Sequence, residues 1–314
     1  MTDHHLRAPT VPFLESDVAL DPTTVETRFA FLGIPFGPPY EPEDQIVCAG
    51  AADAVRASAH VMTYRDYAHH YNFDWGGPLY PDGTPTVTDC GDVIADPDDP
   101  DGIWDRGLDV VRALVRRGVT PLVLGGLDAI PPIVVGGFDE PLHVLHVDSH
   151  LDFRQEVGGV TRGYSSPIRR IRELPNIGRI MQVGLRGVGS ARPTDVEEAL
   201  AAGNELITAR EIHERGIRAA QERLSDDRRW VITIDCDGLD PTIAPAVGWP
   251  EPGGLTYPQI SALVRSLAER DRVAAIVVTE FQPDLDIAGI PAMHIVRLLL
   301  LVVGLQHAAR ITTA

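Results

Sequence analysis

Lysine is missing from this chain. All 27 of its basic residues are arginine, and 45 Asp and Glu outnumber them to give a formal net charge of -18. Such a surplus of negative charge removes the electrostatic grip that nucleic-acid and anionic-membrane binders rely on, so no nucleic acid and no membrane is expected as a partner. It mildly favours a cationic small molecule instead. Cysteine is scarce as well. Cys48, Cys90 and Cys236 form an odd, scattered set with no disulfide framework and no paired zinc-ligand spacing, so a reduced, cytoplasmic setting is expected. Long apolar runs are also lacking. The most apolar stretch, Ile295 to Leu305, is too short to cross a bilayer and carries Arg297. The opening M-T-D-H-H-L-R-A-P has no apolar core of a signal peptide. No G-x-S-x-G, P-loop or dinucleotide fingerprint occurs, which sets aside the commonest serine-hydrolase and nucleotide-binding chemistries.

What is present is an ordinary globular composition, 44% hydrophobic and 23% charged over 314 residues, enough for one large domain. Residues 1–27 are polar and proline-rich with no period, and read as an N-terminal arm, a candidate for packing on a neighbouring subunit. From residue 28 onward, short β-branched runs alternate with segments of helical spacing. Strands are predicted at 29–34, 86–89, 121–124, 143–147, 179–184, 205–208, 230–235 and 274–279. Helices are predicted at 51–59, 104–117, from near 128, and at 166–173, 194–202, 210–224, 257–267 and 287–305. The alternation predicts a single α/β domain over 28–314, a three-layer α/β/α sandwich around a parallel sheet of about eight strands.

The chemistry gathers at strand ends. The stretch His143 to Arg154 reads H-V-L-H-V-D-S-H-L-D-F-R, an apolar strand running into Asp148, His150 and Asp152 at spacings of two. In extended backbone every second side chain points the same way, so the three converge. A second stretch, W-V-I-T-I-D-C-D-G-L-D-P from Trp230, places Asp235 and Asp237 on one face with Cys236 turned away. Carboxyl ends of strands are where parallel α/β sheets build their sites. Four aspartates and one histidine left unpaired would repel one another, and divalent cations relieve that: carboxylate with imidazole suits manganese, iron, nickel or zinc. A shared two-metal site is expected.

Other residues stay open on chemistry alone. Glu280 ends a third strand and pairs with a cationic substrate or begins a helix. Asp128, after Gly125-Gly126, is a sixth ligand or the N-cap of the next helix, and the cap is the simpler reading. Tyr164-Ser165-Ser166 offers hydroxyls to a substrate or merely opens a helix. His143 and His146, inside the strand, read as structural.

The two aspartate motifs resemble those of the ureohydrolase (arginase/agmatinase) family, with Asp148-Ser149-His150-Leu151-Asp152 and Thr233-Ile234-Asp235-Cys236-Asp237-Gly238-Leu239-Asp240-Pro241 matching its patterns. Pro250 to Thr256 and Phe31 to Phe36 look like the agmatinase branch. The resemblance covers roughly 28–305. It implies hydrolysis of a guanidino-type C–N bond at two divalent metal ions, Mn or, as in relatives acting on guanidine and biguanides such as metformin, Ni. It implies that Asp148 and Asp235 bridge the metals, that Asp152 completes one site and His150 with Asp237 the other, and that Glu280 contacts the guanidinium. It implies a homo-oligomer (trimer or hexamer).

Three departures accompany it. The family's first histidine ligand is Asp128 here, its His-Gly pair is Tyr164-Ser165, and its early Arg- and Gly-rich substrate loop is replaced by Glu41 to Ala52. These leave two expectations open: a hydrolase with an atypical metal site, using Glu280, Asp152 and Tyr164 in catalysis, or a catalytically degenerate subunit supporting an active paralogue in a hetero-oligomer.

Overall fold

The computed structural model describes residues 5–37, 39–41, 47–64, 66–96, 99–225 and 227–313. Nine strands form one sheet: β1 Leu6–Arg7, β2 Phe29–Ile34, β3 Val87–Val93, β4 Thr120–Gly125, β5 Leu142–Val147, β6 Ile177–Leu185, β7 Glu205–Thr208, β8 Arg229–Asp235 and β9 Val273–Thr279. Their spatial order is β1-β3-β2-β4-β9-β8-β5-β6-β7. Every pairing is parallel except that of β1 with β3. The eight expected strands are all there, and β1 is an addition from the N-terminal segment. That segment also sends Phe13 into this chain's own interior, stacked on Phe31 with ring centroids 4.5 Å apart.

The strands are buried along their whole length where helices cover both faces, as in β5 and β9, and in β8 from Trp230 onward, which explains their continuous apolar runs. The helices are α1 Ala51–Tyr64, α2 Pro100–Arg116, α3 Pro131–Val135, α4 Pro167–Arg172, α5 Pro193–Ala201, α6 Ala209–Arg215, α7 Arg218–Gln221, α8 Tyr257–Ala268 and α9 Ile290–Thr313. One core joins the sheet to α1 and α6–α9, through Val55, Ile212, Leu263 and Val296 among others. The other joins it to α2–α5, through Val111, Ile133, Ile168 and Ala199. This is the three-layer α/β/α architecture. Helix α9 is apolar on all sides and long enough, by length and composition, to cross a membrane, yet 67% of its apolar window lies buried within the fold.

Two helix expectations need correction. The stretch 210–224 is not one helix: Gly216 turns through a positive φ of 80° and separates α6 from α7. And the helix after Gly125-Gly126 begins at Pro131 with Ile130 before it, so Asp128 is not its N-cap.

Candidate metal centre and substrate pocket

The register of the central strands brings the separate motifs to one line. Val147 of β5 lies opposite Ile234 of β8, and Asp235 opposite Thr279 of β9, so the residues that follow emerge side by side. On the far side of β9, Leu124 of β4 pairs with Val278, and Glu280 donates its backbone N–H to the Gly126 carbonyl at 2.9 Å. Two glycines permit this closeness. A Cβ on Gly126 would fall 2.4 Å from the Pro35 carbonyl oxygen, and one on Gly238 would fall 2.7 Å from the Asp148 nitrogen.

Asp148, Asp152, Asp128, Asp235 and Asp237 are all buried at this edge. The Ser149 hydroxyl and backbone N–H donate to Asp237 Oδ1 at 2.8 and 3.2 Å. The backbone N–H of Asp237 in turn donates to Asp235 Oδ1 at 2.8 Å. His150 Nδ1 lies 3.1 Å from Asp237 Oδ2 and 3.6 Å from Asp148 Oδ1. The Asp128 carboxylate accepts the Thr279 hydroxyl through Oδ1 at 2.5 Å and turns Oδ2 into the cluster. Asp152 and Glu280 hold left-handed backbone, with φ of 47° and 59°. Such strain is sustained only where the surroundings over-determine it, and it gathers at functional sites.

Crowding of like charge in a dry setting shows in the protonation equilibria. Burial, reinforced by Asp237, pushes Asp148 up to about 6. Burial and neighbouring carboxylates hold Asp152 and Asp235 well above the ordinary carboxylate range. Burial lifts Glu280 to about 8, against the pull of the Asp128 N–H. His150 rises to about 9: burial opposes the charge, but Asp237 and Asp148 outweigh it. Asp237 alone is lowered, since its bonds to His150 and Ser149 overcome burial.

These donors fit divalent cations. Oδ2 of Asp128 and Oδ2 of Asp148 are buried without a hydrogen-bond partner, an unfavourable state that a cation between them relieves. Ligand atoms of Asp128, Asp148, Asp152 and the ring of His146 lie within 4.8 Å of one another, as do those of Asp148, His150 and Asp237.

Over the cluster opens a cavity of about 640 Å³. Asp128, His150, Asp152, Asp235, Asp237 and Glu280 form its polar floor, and Val47, Leu127, Tyr164, Val188, Val247 and Trp249 its walls and mouth. The Tyr164 ring packs against Tyr40 at 4.3 Å, and the Tyr40 hydroxyl accepts the Ser165 N–H at 2.9 Å, fixing that loop. Of the early loop Glu41 to Ala52, residues 42–46 lie outside the described residues.

Two contributors were invisible as motifs. His146, read above as structural, stands in the cluster with Nε2 3.0 Å from Asp148 Oδ2. The period of two that groups Asp148, His150 and Asp152 includes it. Arg186, just past β6, donates to the carbonyls of Gly184, Asp237, Gly238, Leu239, Glu251 and Pro252, stitching the Asp237 turn to the loop beyond. No sequence pattern signals it.

The profile of the arginase family matches residues 28–304. The chain belongs to the arginase family. This bears out the resemblance carried by the two aspartate motifs and the reading of the chain as a ureohydrolase-type hydrolase. The guanidinopropionase of Pseudomonas aeruginosa is 32% identical over 256 residues, covering 78% of this chain and 77% of that protein. Among solved structures, the agmatine ureohydrolase of Thermoplasma volcanium superposes with a TM-score of 0.79 at 25% identity, covering 94% and 96% of the two chains. The proclavaminate amidino hydrolase of Streptomyces clavuligerus shares the fold, with a TM-score of 0.82 at 22% identity and coverage of 98% and 100%.

Proposed function

We propose that this arginase-family chain hydrolyses a guanidino-type C–N bond, releasing urea or a urea-like product and an amine, with two divalent metal ions, Mn or Ni, bound at the aspartate cluster. The single observation that carries the reading is the buried, partnerless pair of carboxylate oxygens on Asp128 and Asp148, set in a ring of further carboxylates beneath an open cavity. Asp128, Asp148, Asp152, Asp235, Asp237 and His150 would hold the two ions. Bound there, divalent ions would make water acidic enough to serve near neutral pH as the nucleophile for the guanidinium carbon.

The chain's own groups do the rest. Glu280, held by the Asp128 N–H at 2.7 Å, faces the cavity and pairs with the guanidinium. Ser149 fixes Asp237 and thereby the ring of His150. Asp152 accepts a proton as water adds, and the Tyr164 hydroxyl at the mouth hands one to the departing amine as the C–N bond breaks.

The cavity's chemistry narrows the substrate. Its described lining contains five carboxylates and no lysine or arginine. A carboxylate tail therefore meets repulsion and no partner, whereas an apolar or cationic tail meets Val188, Trp249 and net negative charge. The test is urea or amine release from agmatine and simple alkylguanidines against arginine and a guanidino acid. Preference for the carboxylate-bearing compounds would refute this substrate class.

A further inference from the structure

Gln282 brings the one carboxamide to the described lining of the cavity, two residues past Glu280. Its backbone N–H donates to the Ala246 carbonyl at 2.9 Å, which ties this segment to the Val247-Gly248-Trp249 stretch of the wall. The side chain, half-buried, makes no hydrogen bond among the described residues, yet neither amide atom is sealed off from the cavity. Its orientation is set by Gly248. A Cβ there would fall 2.8 Å from Gln282 Nε2 and 3.9 Å from Cδ, with Oε1 farther off. The amide nitrogen thus packs on the bare Cα of Gly248, and the oxygen is turned away from it. An uncharged acceptor is left without a donor.

A guanidinium held by Glu280 extends its tail past this oxygen. Two residues span at most about 7 Å of chain, so Gln282 reaches a group only a few bonds beyond the guanidinium. Around it the mouth is apolar: Val188 and Trp249 expose large side chains that offer no acceptor. A tail N–H that gives up water there needs a new acceptor, and a hydrocarbon tail leaves Oε1 unused. The hydroxyls of Tyr164, Ser165 and Ser190 belong to other loops, after β5 and β6.

We propose that Gln282 is a specificity-determining residue: its Oε1 accepts an N–H from the substrate's tail and selects guanidino compounds carrying a nitrogen donor a few bonds from the guanidinium. The donor is read and not the charge, because a carboxamide oxygen accepts from an amine and from an amide alike. This deepens the substrate class given above and rests on the same guanidinium site at Glu280.

A series of matched length tests it on the metal-loaded full chain: agmatine, the primary amide of 4-guanidinobutyric acid, and pentylguanidine. Urea release gives kcat/KM, and calorimetry gives Kd independently of turnover. Gln282→Leu should lower the preference for the amide over pentylguanidine by about 3- to 10-fold in both readouts, the loss of one neutral hydrogen bond. Gln282→Glu keeps an acceptor and adds charge, so agmatine should gain over the amide by about 10-fold. Gly248→Ala leaves Gln282 itself intact but places a methyl against its amide nitrogen, and should lower the amide preference in the same direction as leucine. An amide-to-pentylguanidine ratio that Gln282→Leu and Gly248→Ala both leave within about twofold of wild type overturns the assignment. A wild-type chain that binds the series in this Gln282-dependent order yet releases no urea overturns the hydrolase reading and upholds the tail contact. Binding of none of the three compounds overturns both.

Discussion

The backbone N–H of Asp128 donates to Glu280 Oε1 at 2.7 Å, and the hydroxyl of Thr279, one residue earlier on the same strand, donates to Asp128 Oδ1 at 2.5 Å. A candidate metal ligand and the candidate guanidinium partner are thus clasped to each other across the ends of β4 and β9. Changing either should be felt at both.

Asp128 is the first place to look. Two divalent ions against five aspartates and one neutral histidine carry one net negative charge, where four aspartates and two histidines would carry none. Asp128→His should therefore shift the acidic limb of the kcat/KM profile to lower pH, because the nucleophilic water loses its proton more readily beside a less negative centre. Asp128→Ala should lose one metal equivalent in elemental analysis. An unmoved limb together with full metal content would place Asp128 outside the centre.

Glu280→Gln keeps the shape and the bond from Asp128 but removes the charge. Loss of a charge-assisted contact to the guanidinium should lower kcat/KM by about 10- to 100-fold. Metal content should hold near two equivalents. Steady-state kinetics with agmatine reads the first effect, and a change of less than twofold would remove Glu280 from substrate binding.

Protonation gives a dependence of metal stabilisation on pH. Without metal, Glu280 stands at about 8 and Asp148 at about 6, both above the unfolded carboxylate range near 4. Each contributes stability in full below about pH 4 and loses it as pH rises through the folded value. His150, at about 9, contributes below about pH 6.5 and loses that contribution as pH rises toward 9. All three weaken the metal-free fold in the same direction between about pH 4 and 9. Metal requires the deprotonated forms, so the rise in Tm on adding Mn should be small at pH 5 and grow steadily to pH 8. A pH-independent rise, measured by calorimetry, would contradict this.

Arg186 reaches six carbonyls from three segments. Arg186→Ala strands several of them and frees the turn that carries Asp237. A loss of about 2–4 kcal/mol in urea unfolding is expected, with weaker metal binding at the His150 site. Arg186→Lys should recover little, since a point charge cannot match the guanidinium fork.

Much of this was readable in the residues, and the gaps have physical reasons. The ends of β5 and β8 were legible because a period of two is a property of the chain itself, and it pointed to the sheet edge at which Asp148, His150, Asp152, Asp235 and Asp237 stand. Register is not such a property. Nothing in the sequence says that β4 lies beside β9, so Asp128 could not be set against Glu280 and Thr279, and a helix cap seemed enough. His146 satisfied the same period but sat within an apolar run, where a buried histidine with a structural partner is the ordinary case. The N-terminal segment lacked any period because its one short strand is only two residues long.

The most direct test of the central claim is urea release by the chain expressed alone, stripped of metal and then reconstituted with Mn or Ni, across a panel of guanidino compounds. The account predicts two metal equivalents per chain and metal-dependent release from at least one substrate lacking a carboxylate, both abolished in Asp235→Ala. Full metal occupancy with no release from any compound would contradict it, and would point to a subunit that needs an active partner.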